Sequence, residues 1–166
     1  MGLSEDLDRV SLQEHELQFD SMDEQKAWEI GSRLRALAVE RGLSVVIDVR
    51  RFGQPLFYTA LHGTTPDNVE WVRRKGNAVA RFHRSSYGLG LHLKSKNDSI
   101  EARGLPIADY ASHGGSFPII VRNAGMVGSI TVSGLPQRAD HELVVEALCS
   151  ILDCDYDQLK LEPEQS

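Results

Sequence analysis

The sequence predicts an α+β domain in which an antiparallel sheet is flanked by helices. Three observations carry that prediction. Strand-like apolar runs come as adjacent pairs, 43–49 with 55–61 and 117–121 with 126–133, rather than alternating singly with helices. Helical patterns bracket and separate the two pairs. The 166 residues are 41% hydrophobic and contain no repeat or interior linker, which fits one domain over 1–166 that buries roughly 70% of the surface its unfolded chain would expose.

Residues 4–17 form a weak helical pattern, with Leu7, Val10 and Leu17 at helical spacing. Ser21 to Glu24 matches a capping box, and Trp28, Ile30, Leu34, Leu37 and Ala38 supply an apolar face until Gly42 stops the second helix. The strands at 43–49 and 55–61 are joined closely enough for a hairpin. Thr65 caps a third helix with Pro66 at its first position, running to about Arg84, and Ser85 or Ser86 caps a shorter one. Residues 97–112 read as irregular, with a single turn at 99–103. Asn123-Ala124-Gly125 turns the second strand pair, and the last helix runs from 137 to 152. Residues 161–166 read as a loose tail.

The net charge of −6 is unevenly spread. Residues 1–40 hold ten acids against four bases and 135–166 hold eight against two, whereas 50–84 hold seven bases against two acids. An acidic chain with one short basic island is a poor partner for nucleic acid, so the island suits a small anion or the acidic surface of another subunit. No stretch approaches the eighteen apolar residues of a membrane span, and the expectation is a cytoplasmic protein with no membrane partner. Cys149 and Cys154 lack metal-site or redox spacing, and Cys149 reads as core.

The richest stretch for chemistry is 113–148. His113 precedes Gly114 and Gly115 in a loop, and a glycine pair lets the backbone turn tightly or approach another surface. Asp140 and His141 occupy the first turn of the last helix, where the positive dipole end favours a neutral imidazole. In the basic island, His83 falls on the helical stripe Val72, Gly76, Val79/Ala80, which predicts that it faces inward or toward a partner, with Arg73, Arg81 and Arg84 as anion holders beside it. Glycine at position 76, mid-helix, predicts close packing by a strand, a partner or a flat ligand. No nucleophile elbow, phosphate loop, dinucleotide fingerprint or HExxH zinc motif is present.

Four blocks, VVIDVRRFGQPLFYTALHGTTPDN, WVRRKGNAVARFHRSSYGLGL, DYASHGGSFPIIV and VGSITVSGLPQRADHELVVEAL, closely resemble the uncharacterised protein family 0303, over about Leu7 to Leu152. More distantly, the last block and the glycine pair resemble the HbpS/GlcG-like superfamily of haem-degrading domains. That resemblance implies a profilin-like α/β/α fold, a homo-oligomer (a dimer or larger ring) and haem as a cofactor by analogy.

Three functional readings follow. In the first, an oligomer binds haem or another anionic small molecule at a subunit interface, and the family resemblance implies that it assists haem breakdown. His83, His113 or His141 is the donor there, and Arg73, Arg81, Arg84 and Arg138 are the clamps. The second is a non-catalytic assembly or adaptor protein in which the basic island meets acidic termini. The third is a small-carboxylate hydrolase or lyase with His113 and Asp140 as acid and base.

Overall fold

A computed structural model describes residues 2–164. Its elements are α1 (Leu3–Glu16), α2 (Glu24–Glu40), β1 (Val46–Arg51), β2 (Gln54–Ala60), α3 (Pro66–Phe82), α4 (Ser86–Ser95), a 3-10 turn (Glu101–Arg103), β3 (Ser116–Val121), β4 (Gly125–Ser133), α5 (Gln137–Ile151) and α6 (Tyr156–Leu159). The four strands form one antiparallel sheet in the order β2-β1-β4-β3, with helices on both faces. The predicted α+β class is therefore the observed one.

Local chemistry accounts for most boundaries. Phe52 and Gly53 turn the β1–β2 hairpin, both at positive φ (49° and 80°), the geometry of a tight primed turn. Between β3 and β4 the chain turns through the three residues 122–124, with Asn123 and Gly125 at positive φ (66° and 90°). At the start of α3 the Asn68 side chain accepts a hydrogen bond from the Thr65 N–H at 2.9 Å, so Pro66 sits where no donor is needed. The cap of α2 is Asp23, whose carboxylate accepts from Lys26 N–H, rather than Ser21. Strand β1 starts at Val46 and not at Leu43, because Leu43 N–H still bonds the Ala38 carbonyl of the preceding helix.

The two faces of the sheet differ. Val45, Ile47, Val49, Phe117, Ile119, Ile130 and Val132 form the main core with α2 and α5. The opposite face, under α3, carries buried Asp48, Ser116, Ser129, Thr131 and Ser133. Ser116 and Thr131 are cross-strand partners whose hydroxyls lie 2.8 Å apart, and Asp48 holds Arg50 through two bonds of 2.7 Å. α3 covers mainly the β3–β4 half of this face.

Three sequence-based expectations change. α3 ends at Phe82, so His83 is not on its inward stripe; it is the exposed, left-handed C-cap residue, with φ 56°. No close neighbour crowds Gly76, since a Cβ there would find Thr131 Oγ1 at 4.0 Å. The tail is docked at its start: Leu161 is buried with Val10 and Tyr87, and the Glu162 carbonyl accepts from Arg138. Residues 165–166 of that tail lie outside the described residues. Cys149 is buried in the main core and neither cysteine is bonded to the other.

Candidate functional site

The predicted site residues separate into three places. The first is the corner where the loop before β3 meets the start of α5. Here Lys75, reaching in from α3, puts its Nζ 3.0 Å from both Asp140 Oδ2 and the Val132 carbonyl. Both side chains of this ion pair are only 3% exposed. Asp140 also accepts from Leu135 N–H at 2.9 Å and from Gly134 N–H at 3.3 Å, so the same carboxylate caps the β4–α5 turn. Burial pulls Lys75 below the usual ammonium range and pushes Asp140 above the usual carboxylate range, while their mutual attraction opposes both shifts.

The glycine pair explains itself at this corner. A Cβ on Gly115 would lie 2.6 Å from Lys75 Nζ and would overlap the Val132 carbonyl oxygen, and its φ of 134° is itself a glycine conformation. A Cβ on Gly114 would overlap the Gln137 carbonyl and the Tyr87 ring. His113 stands just outside, its ring 5.0 Å edge-on from Trp71, whose own ring carries the Arg74 guanidinium at 4.6 Å. Desolvation, followed by the charges of Lys75 and Arg74, holds His113 below the ordinary histidine range, so its imidazole is neutral at pH 7.

Around His113 three hollows adjoin. One, of about 410 Å³, is lined by Arg74, Leu93, Lys94, Ile107 and Tyr110; a second, of about 420 Å³, by Leu3, Tyr87, Leu91, Lys94 and Gln137. A third, of about 220 Å³, is lined by Asn68, Trp71, Ser133 and Gln137 together with Lys75 and Asp140. The first two lie within the range of small-ligand sites, roughly 300–1,000 Å³. Lys75, Trp71 and Arg74 were not singled out by sequence reasoning. The available signal was spacing: Val72, Lys75 and Val79 share one face of α3, which puts a lysine on an apolar stripe.

The second place is the seam of α1, α4 and α5. Arg138 bonds Asp6 at 2.9 Å, Tyr87 Oη at 3.1 Å and the Glu162 carbonyl, leaving it a structural tie and not a free clamp. His141 is fully buried, stacked on Tyr87 with ring centroids 5.1 Å apart, and its Nε2 lies 2.7 Å from Gln13 Oε1. It is neutral as expected, but burial rather than the helix dipole is the first cause, taking it down to about 3. Its Nδ1 has no partner, and no ligand can reach it.

The third place is the α3 surface. Arg73 is spent on Glu70 at 2.6 Å and Asp109 at 3.0 Å. Arg81 and His83 are exposed at the far end, and Arg84 has a buried Nε without a partner. Among the described residues, Arg81 and Arg84 enter no ion pair, and no group of three or more His, Cys, Asp or Glu side chains could hold a metal ion. Likewise no helix is long and apolar enough to cross a membrane.

A family model described as haem-degrading protein HbpS-like matches residues 22–149, which span the sheet, α2 to α4 and most of α5. The chain belongs to the HbpS-like family. A UPF0303 protein of Acidobacterium capsulatum is 60% identical over 162 residues, covering 97% of this chain and 98% of its own. The crystal structure of the Ybr137w protein superposes with a TM-score of 0.80 at 28% identity, over 89% of this chain and 87% of that one. A PduOC:heme complex superposes with a TM-score of 0.66 at 12% identity, over 78% and 94%. At that identity the likeness shows only that the HbpS-like chain shares its fold.

Proposed function

We propose that this HbpS-like protein binds haem, or another flat anionic molecule, at the His113 corner, between two copies of the chain. The observation that carries the reading is His113 itself: an exposed, neutral imidazole at the junction of three hollows, with Arg74 and Lys94 on their walls. The residues fit the group. His113 would hold the iron through a ring nitrogen, and Arg74 and Lys94 would hold the propionates. Leu93, Ile107 and Tyr110 on one side and Leu91 and Tyr87 on the other supply apolar wall. Bound haem would bring iron redox chemistry, to which the protein adds orientation and exclusion of water.

Each hollow is open and shallow, which favours a site completed by a second copy. Assembly has a second surface at the far edge of the sheet: β2 has no outer neighbour among the described residues, and Phe52, Tyr58 and Trp28 around it are 79%, 47% and 60% exposed. The adaptor reading based on the basic island loses support, because Arg50, Arg51, Arg73 and Lys75 are paired within the chain. So does the reading that pairs His113 with Asp140, since Asp140 is turned to Lys75 and the β4–α5 turn, and His113 packs on Trp71 instead.

The test is a haemin titration of the purified protein, followed by its Soret band, with the particle mass measured alongside. A saturable shift at a fixed ratio to protomers, lost in His113→Ala and kept in His83→Ala, is the expected result. Unsaturable binding, or a His113→Ala variant that titrates like the parent, overturns the assignment.

A further inference from the structure

We infer that Lys75 forms an imine with a small carbonyl compound, an aldehyde or a 2-oxo acid, that enters the hollow lined by Asn68, Trp71 and Ser133. This goes beyond the haem reading and does not depend on it. The geometry has three parts. Lys75 is almost wholly buried, yet it lines an open hollow of about 220 Å³, the smallest of the three beside His113, which suits a molecule of a few heavy atoms. Two of its three N–H bonds go to Val132 O and Asp140 Oδ2; the third has no partner among the described residues. Gly115 packs its backbone against the amine, where any side chain would displace it.

A buried ion pair is poor evidence for stability on its own, because removing two charges from water costs as much as their attraction returns. Here both partners are shifted by burial towards their neutral forms, which is what amine chemistry at pH 7 requires. Asp140, 3.0 Å from Nζ, takes one ammonium proton and leaves a free amine. The nitrogen lone pair attacks the carbonyl carbon, and Asp140 relays protons from nitrogen to oxygen until the oxygen leaves as water. In sum, ammonium plus carbonyl gives a protonated imine plus water, and the Asp140 carboxylate ends as the counter-ion of the imine. No oxidant or reductant is consumed. Asn68, Ser133 and Gln137 line the same hollow and carry groups able to bond the rest of the molecule.

The experiment is borohydride trapping of the full chain, free of haem, with pyruvate in one arm and acetaldehyde in the other, followed by peptide mapping. The chain has five lysines, Lys26, Lys75, Lys94, Lys96 and Lys160. The expected result is a reduced adduct on Lys75 in at least one arm, with the other four unlabelled or nearly so. Pyruvate alone would identify a 2-oxo acid site; labelling by acetaldehyde would identify an aldehyde site. An Asp140→Asn variant, shown by circular dichroism to be folded, should lose most of the adduct. Lys75 unlabelled in both arms, or labelled no more than the exposed lysines, overturns the inference. Because the mapping uses the unaltered chain, a variant that fails to fold does not obscure the answer, and haemin binding by the same preparation is scored separately.

Discussion

The two faces of the sheet are built from the same four strands and hold opposite chemistry. Towards α2 and α5 the side chains are mostly Val, Ile, Leu and Phe, and at the edge of this core Phe117 leans on His141, which burial keeps neutral. Towards α3 the strands offer Asp48, Ser116, Ser129, Thr131 and Ser133, and the helix answers with Lys75. A domain that needed only stability would make both faces apolar, since burying polar groups costs free energy unless each is bonded. The polar layer is fully engaged where it lies deepest, through Ser116 with Thr131 and Asp48 with Arg50, and opens only at the Lys75–Asp140 end, beside His113. The apolar face makes the fold; the polar face makes the site.

The largest effect expected from this contrast is acid lability arising at the edge of the apolar core, in the seam that holds His141. His141 titrates at about 3 in the folded chain against an ordinary value of 6.5, so between those pH values the unfolded chain binds a proton that the folded one does not. Stability therefore falls as the pH falls through that window, by about 1.4 kcal/mol per pH unit and roughly 5 kcal/mol in all. Urea unfolding of the parent and of His141→Gln at pH 7, 5.5 and 4 measures it. The parent should lose stability faster than the variant; parallel curves would mean that His141 is not held neutral.

On the polar face, breaking one side of the buried pair should cost nearly as much. Lys75→Met leaves Asp140 with only the Gly134 and Leu135 N–H groups and should destabilise by about 3–5 kcal/mol. The double change Lys75→Met with Asp140→Asn removes both charges and keeps an acceptor for the turn, so it should be more stable than the single variant. Denaturant melts of the three proteins decide. A double variant weaker than either single one would mean that the pair supports the fold as well as the site.

That contrast was only half legible in the sequence. The paired strands, the Thr65-Pro66 start, the glycine-bearing turns and the core position of Cys149 follow from local rules, because each depends on residues close in the chain. His83 was misplaced because helical periodicity cannot say where a helix stops, and the left-handed residue after Phe82 is a histidine, not the glycine that usually marks the spot. His141 and Arg138 read as site residues because the sequence does not show Gln13 and Asp6, more than a hundred positions earlier, closing over them. Lys75 was passed over within a run of three basic residues, although only the two arginines of that run face outward.

The smallest effect sharpens the comparison furthest. Gly76 lies in the middle of α3, directly over the polar layer, and within one protomer a Cβ there meets only Thr131 Oγ1 at ordinary contact distance, 4.0 Å. Helix propensity alone then predicts that Gly76→Ala stabilises the protein by about 1 kcal/mol, read as a rise in melting temperature. If the glycine is instead reserved for a second copy or a flat ligand crossing this part of α3, the same substitution raises the melting temperature of the isolated protomer while weakening assembly or haemin saturation. Stabilisation with assembly and binding unchanged assigns Gly76 no role beyond its helix. Stabilisation with either one lost places the contact surface of the proposed interface on α3, next to the corner where the polar layer opens.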